Sequence, residues 1–242
     1  MHILEQRGDE MEDILVYPAV SGKAGHYAVG YLKSHGIPLI GHPSPDITHL
    51  LLDVPSREIP ENLLEQLPEQ ICVVGGNLDI PPLFGYRKLD MLKNQWYLAK
   101  NAAITAECAI QAAAEHMETV FGGIDVLIIG WGRIGKCLAH LLNSIGAHVT
   151  VAARKEQDRA MAEALGYRTS LPGLIPDNCG IIFNTVPAPV AESVSGCLNI
   201  DLASQQGLLG NDVIWARGLP GIYAPESSGT LIGETFIREV LK

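Results

Sequence analysis

The 242-residue chain has no apolar run near the roughly 18 residues that crossing a bilayer requires, so no membrane span is expected. Its first stretch, MHILEQRGDEMEDI, lacks the basic region and following apolar run of a secretory leader, and the expectation is a cytoplasmic protein. Positive charge is short as well: 17 lysines and arginines face 27 acids, giving a net charge of −10. Long-range repulsion then works against nucleic acid or an anionic membrane as partner, and any anionic ligand must be held by local cations. The five cysteines (Cys72, Cys108, Cys137, Cys179, Cys197) include no C-x-x-C pair and are odd in number, which points away from a disulfide framework or a zinc site and towards buried reduced thiols. His26, His35, His42 and His49 show no ligand spacing with carboxylates, so no metal site is expected, and no histidine follows His148. There is no internal repeat of solenoid length and no low-complexity segment.

What is present is an apolar content of 47 %, enough to bury a core in each of two domains. DILVYPAV, THLLLDVP and QICVVGG read as short buried strands. Helix-like AGHYAVGYLKSHG, a strand at IPLIG and a helix at IPENLLEQLP fall between them, a pattern that favours a parallel sheet covered on both faces. Residues 1–87 are therefore expected to form a small α/β domain. The alanine-rich stretch over 88–121 is expected to form a connecting helix or two, with a break near Asn101 and a second start at Thr105. Strands at DVLIIG, HVTVAA, GIIFNTVP, LNIDLAS and VIWARG, with helices between them, make residues 122–226 a second α/β domain with a parallel sheet. A last helix, within 227–242, ends the chain.

The sharpest signal is GWGRIG at 130–135. Gly130, Gly132 and Gly135 form G-x-G-x-x-G between an apolar strand and an amphipathic helix. In that setting the first glycine permits the tight turn, the second lets backbone approach a pyrophosphate and the third lets helix and strand pack closely. Helix N–H groups and the positive end of the dipole then hold the phosphates, so Gly130, Trp131, Gly132, Arg133, Ile134 and Gly135 are candidate dinucleotide-binding residues. About 20 residues beyond such a motif an acid usually bonds the ribose 2′-hydroxyl. Here the next strand ends in Ala152, Ala153, Arg154 and Lys155. A guanidinium can clasp a 2′-phosphate that a carboxylate would repel, so NADP is expected, with Arg154 as main ligand, Lys155 as support and Ala153 beside them.

YLAKNAAITAECAIQAAAEH, DVLIIGWGRIG, VAARK, FNTVP, DLAS and GLPGIYAPESSG follow one another over residues 97–242 in the order and spacing of one family. The chain resembles the A subunit of dipicolinate synthase. The resemblance implies an architecture like that of D-2-hydroxyacid and alanine dehydrogenases: a flavodoxin-like N-terminal domain, a Rossmann domain and a terminal helix that packs towards the first domain. It also implies a pyridine-nucleotide reaction on a dihydropyridine dicarboxylate that yields dipicolinate for bacterial spores, and a second subunit resembling a flavoprotein. It assigns Asn184, Thr185, Val186 and Pro187 to the nicotinamide-ribose loop. Asp201, Ala203 and Ser204 fall at the strand end where substrate and nicotinamide meet, and Leu219, Pro220 and Gly221 in the block after the last strand. The family pattern has an arginine where this chain has Gln205 and a lysine where it has Glu226.

A 2-hydroxyacid dehydrogenase needs an arginine for the carboxylate and a histidine for the proton, and Gln205 with the absence of histidine after His148 argues against that activity. Candidates for chemistry are Ser204, His116 in the connecting helix, and Lys23, which with Ser21 and Gly22 precedes a helix at a strand end. The alternatives to a dihydrodipicolinate oxidoreductase are a dehydrogenase of another imine or keto acid and a non-catalytic NADP-binding subunit. A homodimer is expected by analogy with related architectures, in which helices beside the sheet form two-fold contacts.

Overall fold

The computed structural model describes residues 14–56, 59 and 62–241. The leader reading at the N-terminus lies outside the described residues. The chain divides into two compact units: the described residues of Met1–Asn101 with Ala224–Lys242, and Ala102–Tyr223.

The first unit carries a parallel sheet of β1 (Val16–Ala19), β2 (His49–Leu52), β3 (Cys72–Gly75) and β4 (Arg87–Asp90), in that order. The strand expected at IPLIG shrinks to one bridge, Val16 to Leu39, on the outer side of β1. Pro38 has no N–H to give to a ladder, and two bonds, Val16 N–H to the Pro38 carbonyl and Ile40 N–H to the Val16 carbonyl, are what remains. With that bridge counted, the order is the 2-1-3-4-5 of a flavodoxin-like sheet. The expected helix at IPENLLEQLP is a 3₁₀ turn over Leu64–Gln66, with Pro60 and Glu61 outside the described residues. Leu63 and Leu67 from this segment drop into a core with Leu50, Leu52, Val73, Leu78 and Leu83. Burying two leucines around one tight turn takes the place of an amphipathic helix.

Helix α1 (Lys23–Ser34) follows β1, and the last helix of the chain belongs to the same unit and packs on it. That helix begins at Pro225, whose fixed φ suits a first helical position. On its buried face Gly229 and Gly233 bring the two backbones together: a Cβ at Gly229 would collide with the Ala24 carbonyl and Tyr27, and one at Gly233 with the Tyr31 ring. Gly229→Ala is expected to cost about 1–3 kcal/mol through overpacking, read as a lower melting temperature.

Helix α2 (Gln95–Ala114) is continuous, without the break expected near Asn101 or the second start at Thr105. Asn94 caps it, its side chain accepting from the Tyr97 N–H at 2.9 Å. Beyond the cap, a run dominated by alanine and other strong formers carries the helix through Asn101 and Thr105.

The second unit holds six parallel strands: β5 (Asp125–Ile129), β6 (His148–Ala152), β7 (Arg168–Ser170), β8 (Ile181–Asn184), β10 (Leu198–Asp201) and β12 (Val213–Trp215). A separate parallel pair is formed by β9 (Ala191–Glu192) and β11 (Leu208–Leu209). Helices α3 (Arg133–Ser144), α4 (Glu156–Ala164) and α5 (Leu219–Tyr223) complete it, and the C-terminal helix of the first unit is α6 (Pro225–Val240). The order β12-β10-β8-β5-β6-β7 is the 3-2-1-4-5-6 order of a Rossmann sheet read from the other edge. Five of these strands coincide with the expected apolar runs. The sixth, Arg-Thr-Ser, is a polar edge strand whose pairing with β6 is visible only in three dimensions. Leu127, Ile129, Ala152, Ile182 and Leu208 form a core cluster here with no exposure above 0 %. Among the described residues no helix is long and apolar enough to cross a membrane.

Candidate functional site

A parallel sheet brings the carboxyl ends of all its strands to one edge, and the order reverses between β5 and β8. Four loops meet there side by side: 130–135 after β5, 153–155 after β6, 185–187 after β8 and 202–208 after β10. Three strand spacings separate β6 from β10, about 14 Å. This edge, at the topological switch point, is where open α/β sheets bind their ligands.

The glycines of the first loop differ in what they avoid. Gly130 has φ +108° and a Cβ there would collide with the Thr185 hydroxyl; at Gly135 it would collide with the Gly130 carbonyl. These two are required by the fold itself. Gly132 is the N-cap of α3, and a Cβ there would meet no protein atom within 4 Å. Its bareness leaves a cradle at a helix N-terminus for a group from outside the chain, which fits a pyrophosphate. Gly132→Ala is therefore expected to leave the melting temperature unchanged and to weaken binding of the nicotinamide dinucleotide about tenfold, an effect calorimetric titration reads directly.

Trp131 points inward: it is buried, lies edge-on to Tyr167 with ring centroids 5.7 Å apart, and has Lys136 Nζ 5.7 Å above its ring. Arg133 is exposed and Ile134 half-buried at the start of α3. At the end of β6, Ala153 is buried, while Arg154 and Lys155 are exposed and their side chains have no partner among the described residues. The turn carrying them is held from behind by Arg159 of α4, which donates to the carbonyls of Ala153 (2.8 Å) and Arg154 (3.0 Å).

After β8, Thr185 donates both its N–H (2.9 Å) and its hydroxyl (3.0 Å) to the Ile129 carbonyl, fastening this loop to the glycine turn. Val186 is half-buried and Pro187 exposed. Asn184 is fully buried; its amide nitrogen donates to the Val186 carbonyl and to Asp201 Oδ2, both at 2.9 Å, and its oxygen accepts from the Val186 N–H at 3.0 Å. Asp201, at 0 % exposure, also accepts from the N–H groups of Ala203 (2.9 Å), Gly207 (2.7 Å) and Leu208 (2.8 Å). The resemblance assigns Asp201 to the reacting end; its four bonds make it the post that shapes the 202–208 loop.

That loop presents Ser204 and Gln205 to solvent and buries Ala203, whose carbonyl accepts from Trp215 Nε1 at 3.0 Å. Arg217 lies over the Trp215 ring, its guanidinium carbon 5.0 Å from the centroid. Sequence reading missed this cation, because it lies beyond the strand end where no motif marks it. Pro220 sits half-buried in α5, and Tyr223 donates to Glu115 at 2.7 Å, a bond that raises the phenol's pKa. His116 is exposed just beyond α2 in the same unit. Lys23 opens α1 in the other unit, where the helix N-terminus already has its anion: the Asp53 carboxylate accepts from the Ser21 N–H and hydroxyl (both 2.9 Å) and the Gly22 N–H (3.2 Å). Among the described residues no cluster suited to a metal ion occurs.

Fold and site together define a Rossmann-type nicotinamide-dinucleotide-binding protein joined to a flavodoxin-like unit. Residues 90–199 match the family model described as D-isomer specific 2-hydroxyacid dehydrogenase, NAD binding domain. The A subunit of dipicolinate synthase from Bacillus subtilis (strain 168) is 29 % identical over 156 residues, 57 % of this chain and 52 % of that protein, so the match spans about half of the relative's length. The chain is thus similar in sequence to the dipicolinate synthase A subunit over a little more than half of its length. Its fold is that of the crystal structure of the same protein from Bacillus halodurans, with a TM-score of 0.79 at 19 % identity over 95 % of this chain and 97 % of that one. A transhydrogenase from Sinorhizobium meliloti shares the fold more distantly, with a TM-score of 0.66 at 11 % identity over 94 % of this chain and 93 % of that one.

Proposed function

We propose that the chain is an NADP-dependent oxidoreductase that converts a dihydrodipicolinate-type substrate to dipicolinate during spore formation, in the cytoplasm and alongside a flavoprotein-like second subunit. The observation that carries the cofactor choice is the pair Arg154 and Lys155, exposed and without partners among the described residues where an NAD site places its acid. The family likeness supports the substrate class.

Oxidation of the dihydropyridine ring removes a hydride and a proton and leaves the ring aromatic. When bound, NADP⁺ supplies the hydride acceptor. The chain's own residues bind and orient: the 130–135 loop takes the pyrophosphate, Arg154 and Lys155 the 2′-phosphate, and the Asn184–Pro187 loop the nicotinamide ribose. Ser204 offers a hydroxyl to the substrate. Arg217 supplies the cation for a carboxylate that Gln205 lacks. The second hydrogen leaves as a proton to solvent or to a modest base, for which His116 is the candidate in this unit.

Consumption of NADP⁺ with dihydrodipicolinate, followed by NADPH absorbance with and without a flavoprotein-like partner, tests the reading; tight NADPH binding without turnover in either case would leave a non-catalytic NADP-binding subunit. Gln205 and Glu226, two places without the family's cations, favour that second reading or a less charged imine or keto acid as substrate. Arg217→Met separates them further. Loss of one charged hydrogen bond is expected to raise KM for the dicarboxylate about 10–100-fold, with NADPH affinity unchanged.

A further inference from the structure

Cys179 stands two residues before β8 and Cys197 one residue before β10, neighbouring strands whose register pairs Ile181 with Leu198. The Leu198 N–H bonds the Gly180 carbonyl at 2.9 Å, so the ladder continues to this edge and sets Cys197 opposite Gly180, one residue from Cys179. With strands about 4.8 Å apart and a rise of about 3.3 Å per residue, the two Cα atoms lie about 6 Å apart, inside the range of about 4.4–6.8 Å that a disulfide spans. Both thiols pack on the same apolar cluster and both are half-buried; Cys179 Sγ donates to the Ile181 carbonyl at 3.2 Å, and Cys197 Sγ lies 4.0 Å from the Leu198 carbonyl. We propose that Cys179 and Cys197 are a redox modification site, a dithiol that a low-molecular-weight disulfide converts reversibly to an intramolecular disulfide at the amino edge of the Rossmann sheet.

A hydrogen bond from Cys197 pulls the Cys179 thiol below its usual pKa against the opposing effect of burial, while the same bond, with burial, pushes Cys197 up. Cys179 is therefore the attacking thiolate. It displaces one thiolate from the reagent and becomes a mixed disulfide; Cys197 gives up its proton, attacks the Cys179 sulfur and releases the second small thiolate. Two protein thiols lose two electrons and two protons, and one reagent disulfide becomes two thiols. The bond ties β8 to β10, whose far ends carry Asn184 and Asp201.

The test treats the full chain with oxidised glutathione and maps its peptides. The expected product is a Cys179–Cys197 link that raises the melting temperature by about 5–10 °C and is reversed by a dithiol reductant. Cys197→Ser is expected to stop at a glutathione adduct on Cys179, and Cys179→Ser to slow glutathione capture at Cys197 at least about tenfold. The proposal is overturned if both thiols of the treated wild-type chain stay open to alkylation, if stable adducts accumulate on Cys179 with Cys197 intact, or if the link joins other cysteines. NADPH affinity, read in parallel, reports that the sheet is folded in every variant.

Discussion

Asp201→Ala is expected to lower the melting temperature by about 6–20 °C. The carboxylate is fully buried and accepts four hydrogen bonds, three from backbone N–H groups of the loop it shapes and one from the Asn184 amide. Truncation leaves those donors without acceptors in a place water does not reach. Stranding a set of buried polar groups costs about 3–5 kcal/mol, and for a protein of this size each kcal/mol moves the midpoint by about 2–4 °C. The loop has no slack to find other partners: a Cβ at Gly207 would strike the carbonyls of Ala188 and Val186, so the backbone is pinned on both sides. Asp201→Asn, which keeps one oxygen but turns an NH₂ towards donors, is expected to fall between wild type and alanine. A thermal melt of both variants that stays within about 2 °C of wild type, by the near-ultraviolet signal, would mean that the loop is held by something else.

Arg154→Asp is expected to reverse the cofactor preference, weakening NADPH by at least about 100-fold and leaving NADH bound as well as before or better. Two charge-assisted hydrogen bonds to a 2′-phosphate, each worth about 1.5–3 kcal/mol, are lost and a repulsion is added. The same carboxylate becomes an acceptor for the ribose hydroxyls of NADH. Lys155→Ala, which removes a point charge from a solvated position, is expected to cost NADPH only about two- to fivefold. If Arg154 is only a solvated base at a strand end, the ratio of the two affinities will not move.

The contrast between these residues marks how far the sequence could be read. G-x-G-x-x-G and the apolar runs of β5, β6, β8, β10 and β12 are local patterns, and local chemistry alone places them on one sheet edge. Tertiary decisions were less legible. The polar β7 exists because β6 offers it an edge, and α2 runs through Asn101 and Thr105 because its cap and its alanines outweigh two weak formers. The resemblance puts Asp201 at the reacting end; its burial and four donors, invisible in the sequence, make it the post of the loop that follows. Ser21, Gly22 and Lys23 looked like a ligand-binding helix start, yet Asp53, some thirty residues on, fills it. Arg217 and the Cys179–Cys197 pair became visible through strand order, which no spacing in the chain encodes.

The central claim is that the bases ending β6 choose NADP. Calorimetric titration of the wild-type chain with NADPH and with NADH at one moderate salt concentration tests it most directly. The account predicts NADPH tighter by about 30-fold or more, a margin of about 2 kcal/mol that narrows as salt screens the phosphate; equal affinities, or NADH the tighter ligand, would contradict it.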